Sequence, residues 1–385
     1  MKSTKSAIIG TGFIGPAHLE ALRRIGGVEV VALASLEGEK AARLAAQFGI
    51  PKVSANWKDI IADKDIEVIH NCTPNSLHFE INKAALLAGK HVVCEKPLTV
   101  NAKQSEELVQ LARKARTVNA VVFNYRFYPL VQHAREMVLS GEVGTIHLVH
   151  GHYLQDWLFH PTDFNWRLST KVGGQSRAFA DIGLHWCDLI QFITNLKIRS
   201  VCADSMTVHK TRLRPNTSLD TFQEEQTKKT SKSEEIRIDT EDATSVLLRF
   251  ENGAMGSLTV SQVSAGRKNW QWFEIDGSKK SLSWNQEDPN ELWIGHRDKG
   301  NETIAKDPSL LNASGRRTAH YPGGHPEGYP DVLKNLFSEV YEFIRSGQDP
   351  RKSNVSFPTF AEGHRGTMLI EAILKSSKTK RWVNV

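Results

Sequence analysis

Residues 10–15 read Gly10-Thr11-Gly12-Phe13-Ile14-Gly15. They follow a short apolar run at 6–9, open a segment of helical spacing at 16–25, and precede the β-branched run 28–34. This setting constrains the fold more than any other feature of the chain, because strand–loop–helix–strand context separates a dinucleotide loop from a chance G-x-G-x-x-G. Gly10 permits the tight turn, Gly12 lets main chain approach a pyrophosphate, and Gly15 lets helix and strand pack closely. Phosphates would sit at the helix N-terminus, where main-chain N–H groups and the helix dipole favour negative charge.

The same rhythm continues. Helical spacing at 39–48, 57–62, 78–88 and 102–116 alternates with apolar strands at 67–73, 91–94 and 120–123. Strands alternating with helices imply a doubly wound parallel sheet. After residue 128 the pattern changes. A helix at 129–140 leads to strand-like runs at 145–153, 243–250, 254–263, 270–276, 281–284 and 291–294, joined by turns such as Glu251-Asn252-Gly253 and Asp276-Gly277-Ser278. Successive strands on short turns imply antiparallel pairing. The expected architecture is α/β: a Rossmann-type domain over 1–128, then an α+β domain over 129–385 with a large, mostly antiparallel open sheet. Helices are expected at 332–346 and 360–376, the latter a candidate to pack back on the first domain. Residues 209–240 are polar and nearly charge-balanced, and read as an exposed excursion or flap.

With 385 residues the chain is long enough for two full cores. Its net charge of +6 is spread along the sequence, with no Lys/Arg block interleaved with aromatics, so nucleic acid is not an expected partner. Cys72, Cys94, Cys187 and Cys202 lie far apart, which disfavours a disulfide framework or a structural zinc. No apolar run approaches a membrane span, and Met1-Lys2-Ser3-Thr4-Lys5 does not open a signal peptide. A cytoplasmic protein without a metal or a membrane partner is expected.

The second strand should end in an acid for the ribose 2′-hydroxyl of NAD. Here it ends Ala34-Ser35-Leu36. Ser35 can serve a 2′-hydroxyl or a 2′-phosphate, or be a plain turn residue. No arginine adjoins it, although Lys40 lies a turn further on. NAD and NADP both stay open, with the balance toward NAD. Thr73-Pro74-Asn75 and Glu95-Lys96-Pro97 each follow an apolar strand. Ligands of doubly wound sheets bind outside the carboxyl ends of strands, which places Lys96 in the cleft rather than in a loose surface pair with Glu95.

Asp181, His185 and Asp188 are spaced to share a face if their segment is helical, and Gly173-Gly174 lies just upstream. The alternative is a capping aspartate and a structural histidine. Joined to the glycine loop and Lys96, the three suit removal of a proton from an alcohol as its hydride leaves. An imidazole suits a general base, an ammonium stabilises developing alkoxide, and Asp181 orients one of them. Candidate substrate contacts are Tyr125-Arg126 after the last parallel strand, Gln155-Asp156-Trp157, Asn165-Trp166-Arg167, and His325-Pro326-Glu327. Indole faces beside polar forks suit sugars, and serve equally as core or interface anchors.

On the Gly10–Gly15 loop, Thr73-Pro74-Asn75 with His78, Gly89-Lys90-His91-Val92 running into Glu95-Lys96-Pro97, and Asp181-Ile182-Gly183 with His185 and Asp188, the chain resembles the Gfo/Idh/MocA oxidoreductases, the glucose–fructose and inositol dehydrogenase type. The resemblance spans nearly the whole length. It implies catalytic roles for Lys96, Asp181 and His185, cofactor contacts from Gly10, Gly12, Phe13, Ile14, Gly15, Ser35, Thr73, Pro74, Asn75, His78, Glu95 and Lys96, and assembly into homo-dimers or homo-tetramers. It implies NAD(P)-dependent oxidation of a secondary ring hydroxyl of a sugar, anhydrosugar, glucoside or cyclic polyol to a ketone. The 155–167 and 174–185 stretches look most like members acting on levoglucosan or oxidising C3 of glucosides. The alternative is an NAD-dependent glycoside-cleaving enzyme working through a transient 3-keto intermediate. Ser35 and the 209–240 stretch depart from the family pattern.

Overall fold

The computed structural model describes residues 3–214 and 234–385. The chain forms two compact units. One comprises Met1–Phe123, Lys171–Gly174 and Pro330–Thr367, and the other Asn124–Thr170, Gln175–Tyr329 and Met368–Val385.

The first unit is built on six parallel strands, β1 (Thr4–Ile9), β2 (Val28–Ala34), β3 (Lys52–Ser54), β4 (Val68–Asn71), β5 (His91–Cys94) and β6 (Asn119–Val121). They lie in the order β3-β2-β1-β4-β5-β6. The connecting helices are α1 (Ile14–Arg23), α2 (Gly38–Phe48), α3 (Trp57–Ala62), α4 (Asn75–Leu87) and α5 (Ala102–Lys114). The central strands carry runs such as Ala7-Ile8-Ile9 and Val92-Val93-Cys94, buried throughout, as expected where both sheet faces are covered. Asn56 caps α3 and Asn101 caps α5, while Gly49, in the left-handed region, ends α2. Strand β3 is three residues long and too short to show in the sequence pattern. Strand order reverses between β1 and β4, which opens the ligand crevice at their carboxyl ends.

The return segment completes this unit. Tyr341, on the helix Tyr329–Ser346, meets Ser6 of β1 with hydroxyl oxygens 2.6 Å apart. The Val121 N–H donates to the Pro358 carbonyl at 2.9 Å, and the Phe360 N–H to Asn119 Oδ1 at 2.9 Å.

The second unit carries β7 (Ile146–Leu154), β8 (Ile198–Met206), β9 (Thr211–Arg214), β10 (Glu234–Arg237), β11 (Ala243–Phe250), β12 (Met255–Ser261), β13 (Trp270–Gly277), β14 (Ser281–Asn285), β15 (Asp288–Gly295), β16 (Glu302–Ala305) and β17 (Val383–Asn384). Nine of them form one sheet in the order β16-β15-β14-β13-β7-β12-β11-β8-β17. Within it β7 and β12 are parallel and every other pairing is antiparallel. Burial alternates along β11 and β13, so one face is core and the other is half-open.

The 209–240 stretch is not exposed throughout. Its described ends form the hairpin β9–β10, and Arg212 and Thr240 within it are fully buried. Residues 215–233 lie outside the described residues. A charged residue looked exposed in the pattern because its buried partner, Asp242, lies thirty positions away.

Candidate functional site

In the first unit the glycine loop is shaped by close packing. Gly10 sits at φ +102°, and a Cβ on it would fall 2.4 Å from the Cys72 carbonyl oxygen. A Cβ on Gly15 would fall 2.3 Å from the Gly10 carbonyl oxygen. Gly12 is different, since a Cβ there meets nothing within 4 Å. Two glycines therefore serve the fold, and the third keeps an open cradle in front of α1. The first turn of α1 carries no acidic side chain, and its cap residue, Phe13, gives no side-chain cap hydrogen bond. These features fit a pyrophosphate. At the end of β2, Thr11 Oγ1 donates to Ser35 Oγ at 2.8 Å, which ties the loop to the position expected at the ribose. Lys40 Nζ lies 3.6 Å from Glu37 Oε2.

Thr73 and Asn75 are half-buried at the end of β4. Asn71 Oδ1 accepts from Thr73 Oγ1 at 2.7 Å, and Asn75 Nδ2 donates to the Gly173 carbonyl at 2.8 Å. His78 is fully buried, with its ring nitrogens 2.7 Å from the Pro97 carbonyl and 2.8 Å from that of Thr73. Its ring thus joins the loop after β4 to the loop after β5. Burial holds its pKa below the ordinary histidine range, although both carbonyls and Glu95 favour its cation. Glu95 is buried as well. Burial alone would raise its carboxyl, but the hydrogen bond and charge of His18, then Lys96 and His78, bring it below the usual carboxylate value. Lys96 is half-buried, and its N–H donates to Glu95 Oε2 at 3.2 Å.

In the second unit Asp181 lies in a π-helical turn, Phe179–Gly183, that runs into the helix Leu184–Thr194 bearing His185. The π turn therefore alters the regular spacing expected between Asp181 and His185, whereas His185 and Asp188 share the regular helix. Asp188 turns away, where its carboxylate accepts two bonds from Arg126 at 2.7 and 2.5 Å. Arg126 is correspondingly buried.

The Asp181 carboxylate accepts from Arg167 Nε at 3.1 Å and from Gln262 Nε2 at 2.8 Å. Gln262 Oε1 accepts in turn from Arg177 Nη1 at 2.8 Å. Arg177 pairs with Asp242, as does Arg212 at 2.9 Å, and all three side chains are fully buried. Burial would raise the Asp242 carboxyl, but the two guanidiniums bring it below its ordinary value. Glu241 accepts from the N–H groups of Arg177 and Phe179 at 2.9 and 3.0 Å, which anchors the start of the π turn.

A polar strip runs beside His185. The Tyr125 ring lies 4.7 Å from the imidazole, edge on. Its hydroxyl is 2.7 Å from that of Tyr153, and Tyr153 donates to Asn269 Oδ1 at 2.6 Å. Gln155 Nε2 donates to the same oxygen at 2.8 Å, and Trp157 Nε1 donates to Gln155 Oε1 at 2.9 Å. The Arg167 guanidinium lies over Trp166, 4.5 Å from the ring centroid, and over Trp157 at 5.9 Å. Asp156 accepts from Lys268 at 2.9 Å and from the Gly266 N–H, so it holds a turn. His325 is exposed on a loop clamped by the buried Lys306–Glu327 pair. Sequence reasoning missed Tyr153, Asn269, Gln262 and Arg177. Tyr153, Asn269 and Gln262 lie on or beside a strand and Arg177 just before the π turn, and each has a partner far along the chain.

Residues 4–123 match the family described as "Oxidoreductase family, NAD-binding Rossmann fold", and residues 131–283 match "GFO/IDH/MocA C-terminal domain". The chain is 30% identical to levoglucosan dehydrogenase of Pseudarthrobacter phenanthrenivorans, over 100% of this chain and 99% of the relative. It is 24% identical to myo-inositol 2-dehydrogenase of Thermotoga maritima, over 98% and 97% of the two chains. Among solved structures, levoglucosan dehydrogenase in complex with NADH and levoglucosan superposes with a TM-score of 0.87 at 29% identity, covering 100% of both chains. An inositol dehydrogenase homolog complexed with NAD+ from Azotobacter vinelandii gives 0.86 at 25% identity, covering 100% of this chain and 98% of that one. With a Rossmann unit built around an open glycine cradle and both halves of the chain matched, the protein belongs to the Gfo/Idh/MocA family of oxidoreductases, with an NAD-binding fold.

Proposed function

We propose that this protein is an NAD-dependent dehydrogenase that oxidises a secondary ring hydroxyl of a sugar, anhydrosugar or cyclic polyol to a ketone. The observation that carries the reading is the strip of hydroxyl, amide and indole groups beside His185 in the second unit, taken together with the open cradle at Gly12 in the first. Such a strip matches a ring with several hydroxyls and one apolar face. The relatives named above act on levoglucosan and inositol, which supports this class, and levoglucosan is the first compound to try. Supported by the same relatives, a dehydrogenase with net turnover stands ahead of glycoside cleavage by transient oxidation.

In this reading the residues 10–15 loop, Ser35 and the Thr73–Asn75 turn hold the dinucleotide, which supplies the hydride acceptor. His185 takes the hydroxyl proton, the Lys96 ammonium stabilises the developing alkoxide, and Asp181 fixes the orientation of the polar groups around it. Tyr125, Gln155, Trp157, Trp166 and Arg167 bind the ring. Ser35 without a neighbouring arginine supports NAD over NADP.

The resemblance also supports a homo-dimer or homo-tetramer through the half-open sheet face, where Leu148, Leu247 and Met255 are exposed. A monomer in light scattering would refute this. A cytoplasmic location is supported by four free cysteines. No helix among the described residues is long and apolar enough to cross a membrane. The function is tested by following NADH absorbance with NAD or NADP against levoglucosan, glucose, xylose, inositols and simple glucosides. A signal confined to one sugar group, and lost in Lys96→Ala, is expected. Silence with every pair would overturn the reading.

A further inference from the structure

The stretch that carries Trp157, Trp166 and Arg167 has little structure of its own. Between the end of β7 at Leu154 and a single 3-10 turn at Trp166–Leu168 it forms no regular element. A loop of this length holds one shape only where something outside it satisfies its main chain.

The hairpin β9–β10 and the residues just before it do so. Arg212 Nη1 donates to the carbonyls of His160 and Asp163 at 2.7 and 3.1 Å, and Arg212 Nη2 to that of Leu158 at 2.8 Å. The Leu213 N–H donates to the Pro161 carbonyl at 3.0 Å, and His209 Nε2 to that of Phe159 at 2.8 Å. The carbonyls of residues 158–161 and 163 thus all end on residues 209–213. Apolar contacts join the same two segments. Leu158, Leu168 and Ile238 form a buried cluster, with Trp157, Phe164 and Ile236 packed against it.

Arg212 also ties this support to Asp181. Its Nη2 donates to Asp242 Oδ1 at 2.9 Å, and both side chains are fully buried. The other carboxylate oxygen of Asp242 accepts from the N–H groups of Val208 and His209 at 2.7 and 3.2 Å, which fixes where the hairpin begins. Arg177 meets the same carboxylate and reaches Asp181 through Gln262. Loop and aspartate are therefore set against one buried anion. A guanidinium suits the task, because its planar fork serves several acceptors at once, where an ammonium is a point charge on a flexible stem.

We propose that Arg212 is a positioning residue for sugar recognition: from the hairpin it fixes the 155–168 loop, and with it the indole faces of Trp157 and Trp166, relative to Asp181. The inference rests on the dehydrogenase reading for its consequence in turnover, and on the contacts above for the support itself.

The test uses the whole chain. Arg212→Lys keeps a cation beside Asp242 and gives up the spread of donors. Ile236→Ala loosens the apolar side of the same support. Arg214→Ser, exposed on the same strand, is the control. The loop is read directly by hydrogen exchange of peptides covering residues 155–169, followed by mass spectrometry. A peptide covering β5 in the first unit reports global opening.

In Arg212→Lys the loop exchanges about tenfold faster or more, while β5 keeps its wild-type rate. Ile236→Ala moves the loop in the same direction by less, and Arg214→Ser leaves it unmoved. With a sugar that is turned over, Arg212→Lys raises the sugar KM about tenfold and weakens the preference for the best sugar over the next. The KM for the dinucleotide moves less than about twofold. A role in stability alone would lower the active fraction, and so kcat, for every sugar alike, and would leave KM and the preference in place. Unmoved loop exchange in Arg212→Lys would overturn the proposal, as would faster exchange with sugar KM and preference unchanged. If Arg212→Lys does not fold, Ile236→Ala carries both readouts. Should the wild type turn over no sugar at all, that result counts against the dehydrogenase reading, and the exchange rates still decide whether Arg212 holds the loop.

Discussion

Gln262 ties Asp181 to Arg177: its amide nitrogen donates to the carboxylate at 2.8 Å, and its amide oxygen accepts from the guanidinium at 2.8 Å. One side chain therefore sets a candidate catalytic acid against a buried ion cluster. Gln262→Leu removes both bonds and leaves two buried groups under-satisfied. A stability loss of about 2–3 kcal/mol in urea unfolding is expected, because an orphaned buried partner costs more than the bond itself. Under the dehydrogenase reading kcat falls at least about tenfold, with NADH affinity unchanged, since the dinucleotide loop lies in the other unit.

Asp242→Asn leaves Arg177 and Arg212 buried with no carboxylate between them. Breaking a buried ion cluster from one side costs about 3–5 kcal/mol, far more than an exposed pair. Urea unfolding followed by tryptophan fluorescence would show it. A loss under about 1 kcal/mol would mean that water or a rearranged Glu241 takes up the charges.

The glycines of the dinucleotide loop separate stability from binding. Gly10→Ala forces a Cβ into the Cys72 carbonyl at an unfavourable φ, so it lowers the melting temperature. Gly12→Ala places its methyl in open space, so the melting temperature of the apo protein stays within about one degree of the wild type while NADH affinity falls about tenfold, roughly 1.4 kcal/mol. Thermal scans with and without NADH distinguish the two.

His70 bears on the pH dependence of stability. Its folded pKa lies well below the ordinary value because burial, then the neighbouring His18, disfavour its cation. The unfolded chain therefore takes up the proton first. The stability that neutral His70 supports is complete above about pH 6.5 and drains as pH falls below it, by up to about 1.4 kcal/mol per pH unit. His78, depressed chiefly by burial, adds in the same direction. Unfolding free energies between pH 7 and pH 5 should decline, and His70→Gln should flatten the decline relative to its own value at pH 7.

Much of the first unit was legible because its signals are local. A glycine loop, β-branched runs and helical spacing each lie within a few residues of the structure they specify, and helix Trp57–Ala62 and strand His91–Cys94 fall where the pattern places them. The second unit was less so. Strand Ile198–Met206 mixes Arg, Ser, Cys and Asp with its apolar positions, so alternation is blurred, and strands β16 and β17 are too short to stand out. For the site, the lysine, aspartate and histidine announce themselves by type and motif. Tyr153, Asn269, Gln262 and Arg177 do not, because what marks them is a partner 81 to 116 residues away. Arg126 and Asp188 were each visible, but their mutual bond, formed across 62 positions, was not.

The return segment 330–367 has a consequence for how the protein is made. The dinucleotide-binding unit draws Tyr341 onto its innermost strand, and residues 358 and 360 onto its edge strand. A nascent chain that has emerged only as far as residue 123 holds every strand of this sheet, yet lacks the groups that satisfy His70 and the edge. Domains usually fold in order as they leave the ribosome. Here the unit synthesised first gains the partners of His70 and of its edge strand only after the intervening unit has been translated.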